Sequence, residues 1–187
     1  MRLDQIIKTL LAFGLKKDET FIVICIDTQR LLIVENSRIL KKYIISTSKY
    51  GTGNEKNSYK TPFGVHRIYK KIGDNVPLGG IFVGRKFTGR IARIPDSADL
   101  ITTRILWLEG LEPNKNRGKN VDTRERYIYI HGTPEEDKIG IPSSKGCIRM
   151  KNKDIIELFK YVEEGTLLYI LHQCFFLAEA ELPDEEE

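Results

Sequence analysis

A chain of 187 residues, 41% hydrophobic and 30% charged, has the length and composition of one globular domain, and no stretch approaches the roughly 20 apolar residues that span a bilayer. The formal charge of +4 conceals an asymmetry, because six acidic residues and no basic one lie between Glu179 and Glu187, leaving a basic body. Such a surface draws in nucleic acid or small substrates bearing carboxylates, but the lysines and arginines form no recognisable nucleic-acid module, so a nucleic-acid partner is not expected.

The first residues, MRLDQIIKTLLAFGLKK, begin like an export signal, yet Asp4, Gln5 and Lys8 interrupt the apolar region and no small-x-small cleavage site follows. Leu3, Ile6, Ile7, Leu10, Leu11 and Phe13 fall instead at helical spacing, which predicts an amphipathic helix within residues 1–19, packed on the domain. Cys25, Cys147 and Cys174 form an odd set without paired spacing. That pattern argues against a disulfide framework and points to a reducing, cytoplasmic location, with the cell envelope as the alternative.

Residues 20–172 read mainly as β-strand. FIVICID and RLLIVEN form a hairpin around Asp27 to Gln29, and KKYIISTS makes a third strand. Gly51, Gly53, Asn54, Asn57 and Ser58 mark a loop before the alternating TPFGVHRIYKKIG. Gly79, Gly80, Gly84, Gly89 and Pro95 break the middle section into loops and short strands that end in ITTRILWLEGLE. After the polar NKNRGKN, the strand RYIYIHGT ends at His131. Asn152 then reads as the N-cap of a helix with apolar face Ile155, Ile156, Leu158, Phe159 and Val162, stopped by Gly165. TLLYIL closes as a strand, and the acidic residues 173–187 are expected to be disordered.

The segment that carries chemistry is HGTPEEDKIGIPSSKGCIRM, where a strand-end histidine precedes a cysteine by sixteen residues. Gly146 before Cys147 permits a tight turn, leaves the sulfur approachable, and lets the amides of Gly146 and Cys147 converge on an oxyanion. A free thiol with a pKa of about 8.5 is only slightly ionised at neutral pH, so an imidazole that accepts its proton and later protonates a leaving amine would activate it. His131 is that candidate. The N-terminus of the helix beginning near Asn152 would add to thiolate stability if it pointed at the sulfur.

Other readings are weaker. Cys25 inside FIVICID reads as a buried hydrophobe, and His66 and His172 read as structural histidines. Papain-like proteases place cysteine before histidine, and the caspase signature is absent. A zinc site from His131, Cys147, His172 and Cys174 lacks any C-x-x-C or H-x-x-x-H pair, so neither metal nor cofactor is expected.

His131-Gly132-Thr133 together with Ser144-Lys145-Gly146-Cys147-Ile148-Arg149-Met150 resembles the signature of YkuD-type L,D-transpeptidase catalytic domains. ISTS, KTPFGVHRI and GTLLYI support the resemblance, which covers residues 20–172. It implies a mainly β, barrel-like sandwich with an N-terminal helix and a helix after the catalytic loop. It also implies that Cys147 attacks the L,D bond of a peptidoglycan stem tetrapeptide through an acyl-enzyme, with water or an amine as acceptor, and that the Gly132 carbonyl orients His131.

By the same resemblance, Ser144, Lys145 and Arg149 contact substrate or support the loop, and Lys145 stands where many members have histidine. Arg149 suits either a carboxylate clamp or loop support. Tyr50, Lys60 and Arg85 are groove candidates. Compact relatives that trim recovered muropeptides share this pattern. A module that binds muropeptides without turnover is the reading from another class.

Overall fold

The computed structural model describes residues 1–174, so the expected disorder of the acidic segment from residue 175 onward lies outside the described residues. Strands β1 (Phe21–Cys25), β2 (Arg30–Glu35) and β3 (Arg38–Ser46) form an antiparallel meander. Asn36 and Ser37, at φ of 49° and 62°, make the two-residue turn between β2 and β3, where positive φ at both positions matches the right-handed strand twist. Next come β4 (Gly64–Ile72), the hairpin β5 (Gly80–Val83) and β6 (Lys86–Ile91), β7 (Ile101–Gly110), β8 (Tyr129–Gly132), β9 (Ile148–Met150) and β10 (Leu167–Leu171).

The strand order β4-β10-β1-β2-β3-β9-β8-β7 closes on itself through pairing of β4 with β7, and the β5–β6 hairpin hangs from β7. Closure removes the exposed edges of the eight ring strands. This is the expected barrel-like β fold with two helices, α1 (Leu3–Ala12) and α2 (Asn152–Tyr161).

Alternation explains why the apolar runs of β1, β2 and β10 are continuous. Ile22, Ile24, Leu31, Ile33, Leu168 and Ile170 point into the barrel core, where Ile155, Leu158 and Phe159 of α2 join them. Phe21, Val23, Leu32, Val34, Leu167 and Leu171 point outward into a second core, which Ile6 and Leu10 of α1 cover. Strands buried on both faces lose the polar half of the period-2 pattern. The first helix occupies only Leu3–Ala12, and Gly14 at φ +96° turns the chain away soon after its end.

The cysteine reading needs correction. Cys25 and Cys174 form a disulfide, with Cα atoms 5.7 Å apart and a sequence separation of 149. The parallel pairing of β1 with β10 brings the two together at one end of the second core, a proximity that local spacing cannot reveal. Cys147 is the only free cysteine among the described residues, so the odd count no longer argues for a reducing compartment.

Candidate active site

Strands β8 and β9 run parallel, with Ile130 opposite Ile148, His131 opposite Arg149 and Gly132 opposite Met150. Ile130, Ile148 and Met150 fill the barrel core. The alternate side chains therefore share the outer face: Tyr129, His131 and Arg149, joined by Cys147 one step before β9. Cys147 packs there against Phe82, Ile105 and Tyr129, and its sulfur accepts from the Tyr129 amide at 3.4 Å and faces the Tyr127 carbonyl at 3.6 Å.

His131 is buried, and its Nδ1 donates to the Gly132 carbonyl at 2.8 Å, the tautomer that leaves Nε2 as the basic nitrogen. No hydrogen bond occupies Nε2 among the described residues. Burial is the main reason that the imidazole pKa falls to about 4, with Arg149 adding to the effect against the raising influence of Gly132 and Asp99.

Burial likewise pushes the Cys147 thiol up to about 11; the Tyr129 amide and the cations Arg149 and Arg126 oppose this, while Asp99 reinforces it. Part of the residue still meets solvent. The resting site thus holds a neutral thiol and a neutral imidazole.

The backbone acceptor is itself clamped. A Cβ on Gly132 would lie 2.7 Å from both Asn152 Oδ1 and the Thr102 carbonyl, so only glycine fits. Asn152 Oδ1 accepts from Thr102 Oγ1 at 2.7 Å and from Thr103 Oγ1, while its Nδ2 donates to the Thr133 carbonyl at 2.7 Å and to Glu136. Asn152 is therefore the first residue of α2 and not its N-cap, which is Lys151. Glu136 Oε1 accepts from the Asn152 amide at 2.8 Å, so the positive end of the helix is met by a carboxylate and not by the thiol.

The turn before Cys147 is held from two sides. Gly146 has φ +124°, and Thr61 Oγ1 donates to its carbonyl at 3.0 Å. Ser144 Oγ donates to the Cys147 carbonyl at 2.6 Å and accepts from the Gly146 amide at 3.2 Å. The Gly146 amide is thus already engaged, whereas the Cys147 amide has no acceptor among the described residues.

Arg149 is 1% exposed, bonded to Glu135 at 2.5 Å, to Ser143 and to Asp99 at 3.4 Å, so it braces the loop from within. Burial alone would raise the Glu135 pKa, and the hydrogen bonds from Lys138 and Arg149 outweigh it and lower the pKa. Lys145 is exposed and paired with Asp99 at 3.2 Å.

Of the groove candidates, Arg85 lies 4.6 Å from the Trp107 ring centre and 5.0 Å from that of Tyr127, and it donates to Tyr129 Oη at 3.1 Å, which places it on the outer face. Tyr50 pairs with Tyr59 at 6.0 Å, and the Lys60 carbonyl, not its ammonium, accepts from Arg126 at 2.6 Å. Sequence reasoning missed Asn152 as a clamp, the Glu135 and Glu136 partners, and Arg126; only the pair of glutamates just after HGTP offered a signal.

The model of the YkuD L,D-transpeptidase catalytic domain matches residues 19–170. The chain belongs to this family. Putative L,D-transpeptidase YkuD of Bacillus subtilis is 56% identical over 46 residues, 25% of this chain and 28% of that protein. Probable L,D-transpeptidase ErfK/SrfK of Escherichia coli is 46% identical over 48 residues, 26% and 16% of the two chains. The matched stretch is thus under a third of either relative.

Among solved structures, the catalytic domain of the Enterococcus faecium L,D-transpeptidase acylated by ertapenem covers 84% of this chain and 100% of its own at TM-score 0.51 and 17% identity. L,D-transpeptidase 3 of Mycobacterium tuberculosis, with a faropenem-derived adduct, covers 82% and 60% at TM-score 0.51 and 14% identity. At such identities the likeness is one of fold.

Proposed function

We propose that the chain is a cysteine acyl-transfer enzyme acting on the L,D peptide bond of peptidoglycan stem tetrapeptides. The observation that carries this reading is the placement of the single free thiol on the same outer face as an imidazole whose Nδ1 is occupied by the Gly132 carbonyl. As Cys147 Sγ attacks the scissile carbonyl carbon, its proton passes to His131 Nε2 and the C–S bond forms. The Cys147 amide faces the resulting oxyanion.

Collapse breaks the C–N bond, and the imidazolium returns its proton to the departing amine of the D-residue. Water or an amine then attacks the thioester with His131 as base; the C–S bond breaks and the sulfur recovers a proton. Water gives a trimmed tripeptide, and an amine gives a new L,D link. The neutral resting pair suits this order, because charge develops only when substrate is in place.

Incubating the chain with a tetrapeptide muropeptide and reading masses tests the proposal. Loss of one D-alanine marks trimming, and exchange with an added D-amino acid marks transfer. Cys147→Ala should abolish product and keep binding; binding by the unaltered chain without any product would leave a muropeptide-binding module instead.

The Cys25–Cys174 bridge favours the envelope side over the cytoplasm as the working compartment, because such links persist in oxidising surroundings. Thiol counting on the denatured protein recovered from its host checks this: one reactive sulfhydryl is expected before reduction and three after. Three without reduction would return the chain to a reducing compartment.

A further inference from the structure

Strand β7 breaks step beside the strand that carries His131. Thr102 lies opposite Gly132 and Ile105 opposite His131, so Thr103 and Arg104 bulge out of the ladder with no opposite residue on β8. Thr103 sits there at φ +70°, in the left-handed region that β-branched residues rarely enter. It is fully buried, as is Thr102 beside it.

The bulge has one visible effect on side chains. Consecutive residues of a regular strand point to opposite faces, yet the hydroxyls of Thr102 and Thr103 both reach Asn152 Oδ1. The rest of the amide fixes the direction of these bonds. Asn152 Nδ2 faces two acceptors, the Thr133 carbonyl at 2.7 Å and a Glu136 carboxylate oxygen at 2.8 Å, so the amide oxygen is the atom turned toward the threonines. Each hydroxyl therefore donates to it. The Thr103 hydroxyl oxygen in turn accepts from the Gly79 amide at 2.9 Å, and the Thr103 carbonyl accepts from Arg104 Nη1 at 2.6 Å. These bonds hold the threonine where its backbone alone would not stay.

We propose that Thr103 is a positioning residue for His131: its left-handed bulge locks the Asn152 amide, which holds the Gly132–Thr133 backbone and so keeps hydrogen on Nδ1 of the ring and Nε2 free for the thiol proton. The inference rests on the reading of Cys147 and His131 as the reacting pair. Each link is a close contact. Asn152 Oδ1 would lie 2.7 Å from a Cβ on Gly132, Asn152 Nδ2 bonds the next carbonyl, and the Gly132 carbonyl is 2.8 Å from His131 Nδ1. Glycine would take the conformation of residue 103 without cost, so what threonine adds there is its hydroxyl.

Two variants separate positioning from plain structure. Thr103→Gly relieves the backbone and removes the hydroxyl, whereas Thr103→Ser keeps the hydroxyl. On a stem tetrapeptide, Thr103→Gly should lower kcat about 10- to 100-fold with KM little changed, and Thr103→Ser should restore most of it. The thermal midpoint should not follow that order, because the glycine variant loses backbone strain together with its hydrogen bonds. Nitrogen-15 NMR of the histidine rings supplies a readout without turnover. His131 should show a single tautomer, with hydrogen on Nδ1, in the unaltered chain and in Thr103→Ser, and a mixture of both tautomers in Thr103→Gly. His66, held by its own Gly64 carbonyl, should give the same signals throughout.

Either undiminished kcat or a single His131 tautomer in Thr103→Gly overturns the inference, as does an equal loss of kcat in Thr103→Ser. If the unaltered chain turns over no tetrapeptide, the reading of the reacting pair fails, and the ring spectra still decide whether Thr103 sets the tautomer.

Discussion

His66 and His131 are both buried strand residues, and both hold Nδ1 against a backbone carbonyl, Gly64 at 2.9 Å and Gly132 at 2.8 Å. Burial drives both pKa values to about 4. They part at the second nitrogen. His66 Nε2 meets Thr123 Oγ1 at 3.0 Å, which completes its hydrogen bonding, whereas His131 Nε2 is left open on the face that carries Cys147. Burial and the shifted pKa are common to the two histidines; the spare nitrogen is what sets His131 apart.

The largest expected effect that would sharpen this contrast is on chemistry. His131→Gln should lower kcat on the tetrapeptide by about 10³-fold, because it removes the base proposed for the Cys147 thiol, while the thermal midpoint stays near that of the unaltered chain. Undiminished turnover would break the comparison.

A smaller effect is expected on stability. His66→Ala should cost about 2 to 3 kcal/mol in denaturant unfolding, since it empties a buried site and strands Thr123, with kcat of the folded fraction unchanged. A loss of turnover without a loss of stability would place His66 in the site after all.

The smallest effect is on the pH dependence that the two share. Folded values near 4 against an ordinary 6.5 mean that the unfolded chain binds more protons between those limits. The stability from keeping both rings neutral is complete above pH 6.5 and declines as pH falls toward 4, on the order of 2 kcal/mol for each ring at pH 5. Unfolding titrations should show each single variant removing one share of that slope.

Much of this was readable from residue order. The β1–β2 hairpin, the strand at TLLYIL and the turn at Gly146 follow from branched apolar runs and glycine, and the HGT and SKGCIRM segments marked the face that holds Cys147 and His131. β6 was not readable, because all six of its residues are exposed and leave no buried period. The Cys25–Cys174 link was hidden for a different reason: its partners meet only when the first and last strands pair.

Asn152 misled by its chemistry. An asparagine at a helix start ordinarily caps it, but Glu136 takes that role from a distant loop and frees the amide for Thr102, Thr103 and Thr133. Arg126 gave no signal because its partners are carbonyls in a loop more than sixty residues earlier in sequence.

That amide has a mechanical consequence. It belongs to α2, yet it grips the stretch of chain whose carbonyl sets which ring nitrogen of His131 carries hydrogen. Helix α2 and strand β8 are geared together, so a push on α2 from outside the barrel would be felt as a change in where the His131 ring points.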